Sequence, residues 1–356
     1  MYKTLDLFSG IGGLTYALAG VAEPVAYCDV DPICRAALTA LFGKGLLPRA
    51  PILDDVRTLR RGHIDAEVDM VTGGFPCVGL SPLGNRKGLQ NEQSALFYEL
   101  ARVAQEFAPA FVFMENVPEV TSVLKAVHEK MNELGYDLRW CCLSAEAVGA
   151  LHVRKRWFCL ATKRGDSRVL DRDMLVDGGV AMPDWNEAHE PERLEPDSKQ
   201  RKQRLALLGN SVVPRCVRAA FFHLWNAKDE GTPCAQYMMH GCTRGAQVLS
   251  CGPPPINSPP PPLNLVFDPS AFSTGKPPSV QCKRETVTDT AVRRSKWSTL
   301  RHGMTGACNV LTKRSMRDLP TQVRFETGTT GDRSWQMSAA FGEYLLGFPL
   351  GWTELI

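Results

Sequence analysis

Val68-Asp69-Met70-Val71-Thr72-Gly73-Gly74-Phe75-Pro76-Cys77-Val78-Gly79-Leu80-Ser81 begins as an apolar run and opens into a loop of Gly, Pro and small residues. Such a run bounded by turn residues reads as a buried strand. A cysteine just beyond it sits at the strand's carboxyl edge, where open α/β sheets place their chemistry. Pro76 fixes the backbone before Cys77, and the neighbouring small residues let a flat substrate approach the thiol. A free cysteine is ordinarily a small core residue. Its position past the strand end makes Cys77 a candidate nucleophile instead.

The flanking sequence extends this strand into a sheet. Tyr2 to Leu7 reads as a strand, Ser9 to Gly13 as a glycine-rich turn and Leu14 to Ala19 as a helix start, together the first βα unit of a Rossmann-like sheet. Gly10, Gly12 and Gly13 permit a tight turn and close approach by a ligand, while the helix start offers N–H groups to a carboxylate. Pro24 to Asp29 is a second strand; Asp29 at its carboxyl end is placed to accept from both hydroxyls of a ribose, and Asp31 caps the helix that follows. The third strand is weakly marked around Pro51 to Val56, and Val68 to Thr72 is a clear fourth.

Ser94 to Phe107 has helical spacing at Leu96, Leu100, Val103 and Phe107, with Ser94 as its cap. Phe111-Val112-Phe113-Met114 is a buried strand ending in Glu115-Asn116-Val117. A carboxylate there is costly unless it is paired or open to a cleft, which favours a catalytic Glu115 beside a loop carrying Cys77. Two more strands follow, Tyr136 to Ser144 and Arg156 to Thr162. Arg154 and Arg156 alternate along an extended segment and so share one face, from which one arginine reaches the site.

Composition limits the class less sharply. The 356 residues are enough for one large α/β domain and a smaller one. Lys+Arg 41 against Asp+Glu 38 gives a net charge of +3, too weak a bias to decide a nucleic-acid partner, although basic residues cluster at Arg154–Arg156, Lys199–Arg204 and Arg293–Lys296. Twelve cysteines form no CxxC pair or Cys/His array at zinc spacing, so reduced thiols and no metal are expected. The first residues enter a strand without a signal peptide, and no apolar run approaches the roughly 20 residues of a membrane span. These readings point to an intracellular protein.

Asp6-Leu7-Phe8-Ser9-Gly10-Ile11-Gly12-Gly13, Gly74-Phe75-Pro76-Cys77, Glu115-Asn116-Val117, Arg154-Lys155-Arg156 and Gly209-Asn210-Ser211-Val212-Val213-Pro214 together resemble, in order, the motifs of the cytosine-C5 DNA methyltransferases. The resemblance covers roughly residues 3 to 220 and a short carboxyl-terminal stretch. It implies a Rossmann-like adenosylmethionine-dependent methyltransferase sheet with a smaller carboxyl-terminal target-recognition region. S-adenosyl-L-methionine is the implied cofactor. Phe8, Ser9, Gly10, Gly12, Gly13, Asp29, Val30, Asp55, Val56, Pro76, Asn210 and Ser211 are the positions it assigns to cofactor binding, with Asp55 accepting from the adenine amine. Asn210 is expected to organise backbone rather than perform chemistry.

The resemblance also implies the reaction. Cys77 adds to carbon 6 of a flipped cytosine, Glu115 donates to ring nitrogen 3, Arg154 binds the ring carbonyl with Arg156 beside it, and Pro76 and Asn116 complete the catalytic set. The loop Gly84 to Gln93 would close over the base with Arg86 and Lys87. Three positions depart from the family pattern: Asp29 where Glu is common, Leu151 where Pro is usual, and Val78 where many relatives have Gln.

Motif order departs as well. Only about 40 residues separate Thr162 from Gly-Asn-Ser-Val-Val-Pro, and Met337 to Pro349 resembles the missing motif. The expected organisation is a catalytic domain over 1–225, with 164–200 a linker or surface excursion. A recognition region over 226–356 would follow, with a Pro-rich connector at 252–262 and a returning motif at 337–353. His302, Lys313, Arg314, Arg317 and Arg324 offer phosphate contacts there. The partner implied is double-stranded DNA, bound by a monomer in the cytoplasm of a prokaryote or a virus-infected host cell, any cognate restriction endonuclease acting separately. Two alternatives remain: a tRNA cytosine-5 methyltransferase, and a catalytically silent DNA-binding homologue.

Overall fold

The computed structural model describes residues 1–76, 96–169, 182–226 and 335–354. Cys77, Val78, Arg86, Lys87, Ser94, the Pro-rich connector and the basic residues from His302 to Arg324 lie outside them. The chain divides into two compact units, Met1–Gln247 with Lys296–Ile356, and Val248–Ser295, the second lying outside the described residues.

The first unit is built on seven strands: β1 (Tyr2–Leu7), β2 (Ala22–Cys28), β3 (Ile52–Leu53), β4 (Met70–Gly73), β5 (Phe111–Asn116), β6 (Tyr136–Ser144) and β7 (Lys155–Lys163). They lie in the order β3-β2-β1-β4-β5-β7-β6. The pairings from β3 through β5 are parallel, and β7 runs antiparallel to both its neighbours. Strand order reverses between β1 and β4, the switch point at which an open parallel sheet forms its crevice.

Helices cover both faces: α1 (Gly13–Ala17), α2 (Pro32–Gly43), α3 (Leu96–Phe107), α4 (Leu124–Glu133), α5 (Lys199–Asn210) and α6 (Pro214–Asn226). Asp31 caps α2 by accepting from the Ile33 N–H at 2.8 Å, as its sequence position suggests. The apolar stripe of α3 buries Phe97, Leu100, Val103 and Phe107. Burying each such side chain contributes about 1.5–3 kcal/mol. On the opposite face, Trp225 of α6 packs its ring 5.5 Å from Tyr2 and 4.8 Å from Phe111, so this helix does return to the first strand. Residues Lys199–Asn226 are long and apolar enough by composition to cross a membrane, contrary to the sequence expectation. They break at 211–213 into α5 and α6, and 67% of the apolar window is buried inside the protein.

The carboxyl-terminal segment belongs to this core. β9 (Trp335–Met337) pairs antiparallel with β8 (Leu194–Pro196), and α7 (Ala339–Leu346) follows it. Trp352 is fully buried and donates through Nε1 to the Ile11 carbonyl at 3.0 Å. Beneath α7 lies a polar network. Glu343, with no exposure, accepts from Arg204 Nη2 at 2.9 Å, from the Thr353 N–H at 2.8 Å and hydroxyl at 2.5 Å, and from the Gly351 N–H at 2.7 Å. Arg201 is buried as well, bonded to the Met337 carbonyl at 3.0 Å and to Asp197 at 2.7 Å. The two arginines of the basic cluster Lys199–Arg204 are therefore internal wiring, while Lys199 and Lys202 are exposed.

The stretch read as a linker also contributes to the core. Trp185 is buried, lies against Gly149 and Gly347, and donates to the Leu345 carbonyl at 3.0 Å, where His152 Nε2 also bonds at 2.8 Å.

Candidate active site

Sheet register brings the site together. Leu7 of β1 pairs with Gly73 of β4, and Gly73 pairs with Met114 of β5. The turn starting at Phe8, the loop starting at Gly74 and the carboxylate of Glu115 therefore leave the sheet side by side. On the far side of β5, Glu115 pairs with Phe158 and Asn116 with Trp157, which sets Arg156 beside the ends of both strands.

Glu115 is 12% exposed, and its Oε1 meets Arg156 Nε at 3.0 Å. Burial pushes its carboxyl above the usual range, opposed by the charges of Arg156 and Arg154. A Cβ on Gly74 would stand 3.0 Å from the other oxygen, Oε2, so only glycine leaves that oxygen clear. Asn116 is buried; its Nδ2 donates to the Phe75 carbonyl at 3.1 Å and its Oδ1 accepts from the Val117 N–H at 2.8 Å. It thereby ties the end of β5 to the backbone that leads through Pro76.

The two arginines differ in what they hold. Arg154 is 2% exposed, and its Nη2 donates to the carbonyls of Ser211 at 2.5 Å and Gly209 at 3.1 Å. That guanidinium holds the Gly-Asn-Ser-Val-Val-Pro turn against the sheet. Arg156, not Arg154, pairs with the carboxylate at the site. His152 is buried near them, with its imidazole pushed down to about 4 by burial and the Arg154 charge, so it stays neutral.

A cleft of ≈ 770 Å³, open mouth included, runs along this edge. Its walls include the turn Phe8 to Ile11, Gly13, Asp31, Ile33, Gly74, Glu115 and one face of α5 at Gln203, Ala206, Leu207 and Asn210, continuing to Ser211. Phe8 adopts φ 53, a strained left-handed conformation for a residue with a side chain. Ser9 is committed through its hydroxyl to the Asp6 carbonyl at 2.7 Å. Gly12 has φ 72, and a Cβ there would meet Leu47 at 2.3 Å; one on Gly13 would meet Val212 at 2.7 Å.

At the end of β2, Asp29 accepts from the Gly10 N–H at 2.7 Å and the Asp31 N–H at 2.9 Å. Burial raises its pKa while these two bonds oppose the shift. Val30 beside it is exposed and Val56 is buried. Asp55 accepts from Arg57 on both oxygens, from Nε on Oδ1 at 3.0 Å and from Nη2 on Oδ2 at 2.8 Å, which holds its carboxyl low. That arginine is largely exposed.

Two features of this edge escaped the sequence reading. Asp6 is fully buried at the end of β1, accepting from Thr15 at 2.8 Å and Thr72 at 2.7 Å. Burial pushes its carboxyl up to about 7. Gln203 also lines the cleft, seven residues before Asn210 on the same helical face.

A glycine turn at the switch point, an acid at the end of the second strand and a seven-stranded sheet with one antiparallel strand define an adenosylmethionine-dependent methyltransferase. The residues suit that cofactor: Phe8 and Val30 offer apolar surface beside the Asp29 carboxylate, and the glycines keep the turn close. A family model described as C-5 cytosine-specific DNA methylase matches residues 2–205, and the chain belongs to this family. It is 29% identical to the Type II methyltransferase M.CviJI of Paramecium bursaria Chlorella virus IL3A over 98% of this chain and 96% of that one. M.HhaI of Haemophilus parahaemolyticus is 30% identical over 44% of this chain and 48% of its own. M.MspI of Moraxella sp is 29% identical over 45% and 38%.

Proposed function

We propose that this enzyme methylates carbon 5 of a cytosine flipped out of duplex DNA, through a transient bond from Cys77 to carbon 6. The observation that carries the residue roles is the Glu115–Arg156 pair, 3.0 Å apart at the rim of the cleft. Carbon 5 of cytosine is a poor nucleophile until a thiolate adds at carbon 6 and breaks the aromaticity. Cys77 loses its proton as its sulfur adds, and the displaced electron pair moves toward ring nitrogen 3. Glu115, whose raised pKa suits a proton donor, protonates that nitrogen. Arg156 orients Glu115 and binds the ring carbonyl, offsetting developing negative charge. Adenosylmethionine, when bound, supplies an electrophilic methyl to carbon 5. A base or water then takes the carbon 5 proton, nitrogen 3 returns its proton to the Glu115 carboxylate, and the Cys77 sulfur leaves as thiolate, restoring the ring.

Asn116 positions the Pro76–Cys77 loop through the Phe75 carbonyl. Asp29 receives the ribose hydroxyls, Phe8 and Val30 flank the adenine, and Asp55 with Val56 closes that end. Extruding the base costs a few kcal/mol, which contacts from the recognition region offset. We assign that region to the residues between α6 and β9. Both flanking elements belong to the catalytic unit, and the M.CviJI match runs through it, over 98% of this chain. The enzyme works as a monomer on double-stranded DNA in a bacterial or virus-infected cell, apart from any cognate restriction endonuclease.

Methyl transfer from labelled adenosylmethionine to unmethylated duplex DNA, with base-resolution mapping of the product, tests the reading. Wild type should modify cytosine carbon 5 at one short motif, and Cys77→Ser should reduce transfer to background. Transfer surviving the substitution, or confined to tRNA, would overturn it.

A further inference from the structure

We propose that His152 is a positioning residue for the methyl-transfer site: by gripping the end of α7 it fixes the chain that carries Arg154 and Arg156. The inference rests on the reading of the Glu115–Arg156 pair as the group that meets the cytosine. β7 pairs with β5 as far as Trp157 and with β6 as far as Lys155, so His152 and Arg154 lie past both ladders. From there on, three alternate side chains each hold a different element. Arg156 meets Glu115 at 3.0 Å, Arg154 holds the carbonyls of Ser211 and Gly209, and His152 bonds the Leu345 carbonyl at 2.8 Å. Alternation along an extended chain puts positions 152, 154 and 156 on one face. Any turn of the backbone at His152 therefore swings the face that carries both guanidinium groups.

The end of α7 is built to receive that grip. The last carbonyls of a helix have no partner within it. Gly347, at φ 75, closes α7 in a left-handed turn; its N–H bonds the Tyr344 carbonyl and that of Phe348 bonds the Glu343 carbonyl, each at 3.0 Å. The Leu345 carbonyl is left over, at the negative end of the helix dipole. Two side-chain N–H groups fill it, His152 Nε2 and, at 3.0 Å, the Trp185 indole. A carbonyl only accepts, so the proton of the neutral His152 ring sits on Nε2. Nδ1 is buried and, among the described residues, has no hydrogen-bond partner. Burying an unpaired ring nitrogen is unfavourable, and a position that served packing alone would be better filled by an apolar side chain. The Trp185 indole already caps the Leu345 carbonyl. What His152 adds is a fixed point for the arginine strand.

Four variants separate this role from a packing role. His152→Phe keeps a ring and loses the donor. His152→Gln keeps an amide N–H that reaches as far as Nε2, whereas the shorter amide of His152→Asn stops short of Leu345. Trp185→Phe removes the other donor on the same carbonyl and leaves the arginine strand untouched. Steady-state transfer to cytosine in duplex DNA, per folded molecule, should show kcat about 10-fold lower in His152→Phe with KM for adenosylmethionine unchanged, within the roughly 10²-fold that a 1 Å misplacement can cost. His152→Gln should recover most of that loss, and Trp185→Phe should unfold at lower urea while keeping its kcat. Equal kcat in wild type and His152→Phe, an equal loss in Trp185→Phe, or a loss carried by KM for adenosylmethionine would refute the assignment. If His152→Phe does not fold, the two amides carry the same comparison, and equal kcat for His152→Asn and His152→Gln would refute it. Absence of transfer to cytosine by wild type would sink the reading of the site, and this inference with it.

Discussion

Glu115 and Glu343 are both buried carboxylates paired with an arginine, and they are wired in opposite ways. Glu343 is saturated, its two oxygens accepting from Arg204, Gly351 and Thr353. Among the described residues Glu115 has one ion-pair partner, Arg156 on Oε1, while Gly74 keeps the approach to Oε2 clear. A carboxylate that holds a fold together engages both its oxygens with fixed donors. One that must exchange a proton keeps an oxygen accessible and its arginine partly exposed, here 20% against 11% for Arg204.

The largest effect that could break this contrast lies at Glu115. Glu115→Gln should lower methyl transfer by about 10²–10⁴-fold, the usual range for a lost acid–base group, with unchanged or improved stability. Steady-state transfer and urea unfolding measured on the same preparation check both halves. Next comes Glu343→Ala, which leaves Arg204 only the more distant Glu354 carboxylate at 3.8 Å and orphans the Thr353 and Gly351 N–H groups; it should cost about 3–5 kcal/mol in unfolding free energy, while transfer per folded molecule is retained. Were the Glu115 variant to lose stability and keep its rate, or the Glu343 variant the reverse, the contrast would collapse.

A third buried carboxylate sharpens it. Among the described residues Asp6 accepts two threonine hydroxyls and no cation, and its folded pKa is about 7 against 3.8 as its ordinary value. The folded chain holds that proton more tightly than the unfolded chain, so the group's contribution to stability falls as pH rises from about 4 to about 7. The full change is on the order of 2–4 kcal/mol. Asp6→Asn should flatten that part of the stability–pH profile in chemical unfolding at each pH. A slope identical to wild type would show that Asp6 does not titrate in this window.

Most of the sheet was legible because its determinants are local. Tyr136–Ser144 carries its strand in its own residues, and Phe111–Asn116 in its continuous apolar run. Site residues that leave strand ends were legible for the same reason, since Asp29, Glu115 and Asn116 follow apolar runs directly. What sequence missed depends on partners far away. Arg201 and Arg204 read as a basic patch, because Met337, Glu343 and Thr353 that receive them lie more than 130 residues on. Trp185 stands in a weakly periodic acidic stretch, and only the docking of Gly149 and Gly347 against its ring makes it core. That a folded-back turn claims the Arg154 guanidinium is equally invisible, since alternation along a strand carries no trace of it.

The docking of residues 335–354 also bears on how the molecule is made. A chain emerges from the ribosome amino terminus first, at roughly 5–20 residues per second. The sheet, α5 and α6 are complete once Asn226 has emerged, but the roof that Glu343 and Trp352 build over Arg204 and Ile11 is not. The roughly 110 residues in between delay it by on the order of ten seconds. During that interval Arg204 lacks its carboxylate and the apolar ground under Phe348 is bare, so the nascent protein passes through a stage in which a chaperone has a defined surface to shield.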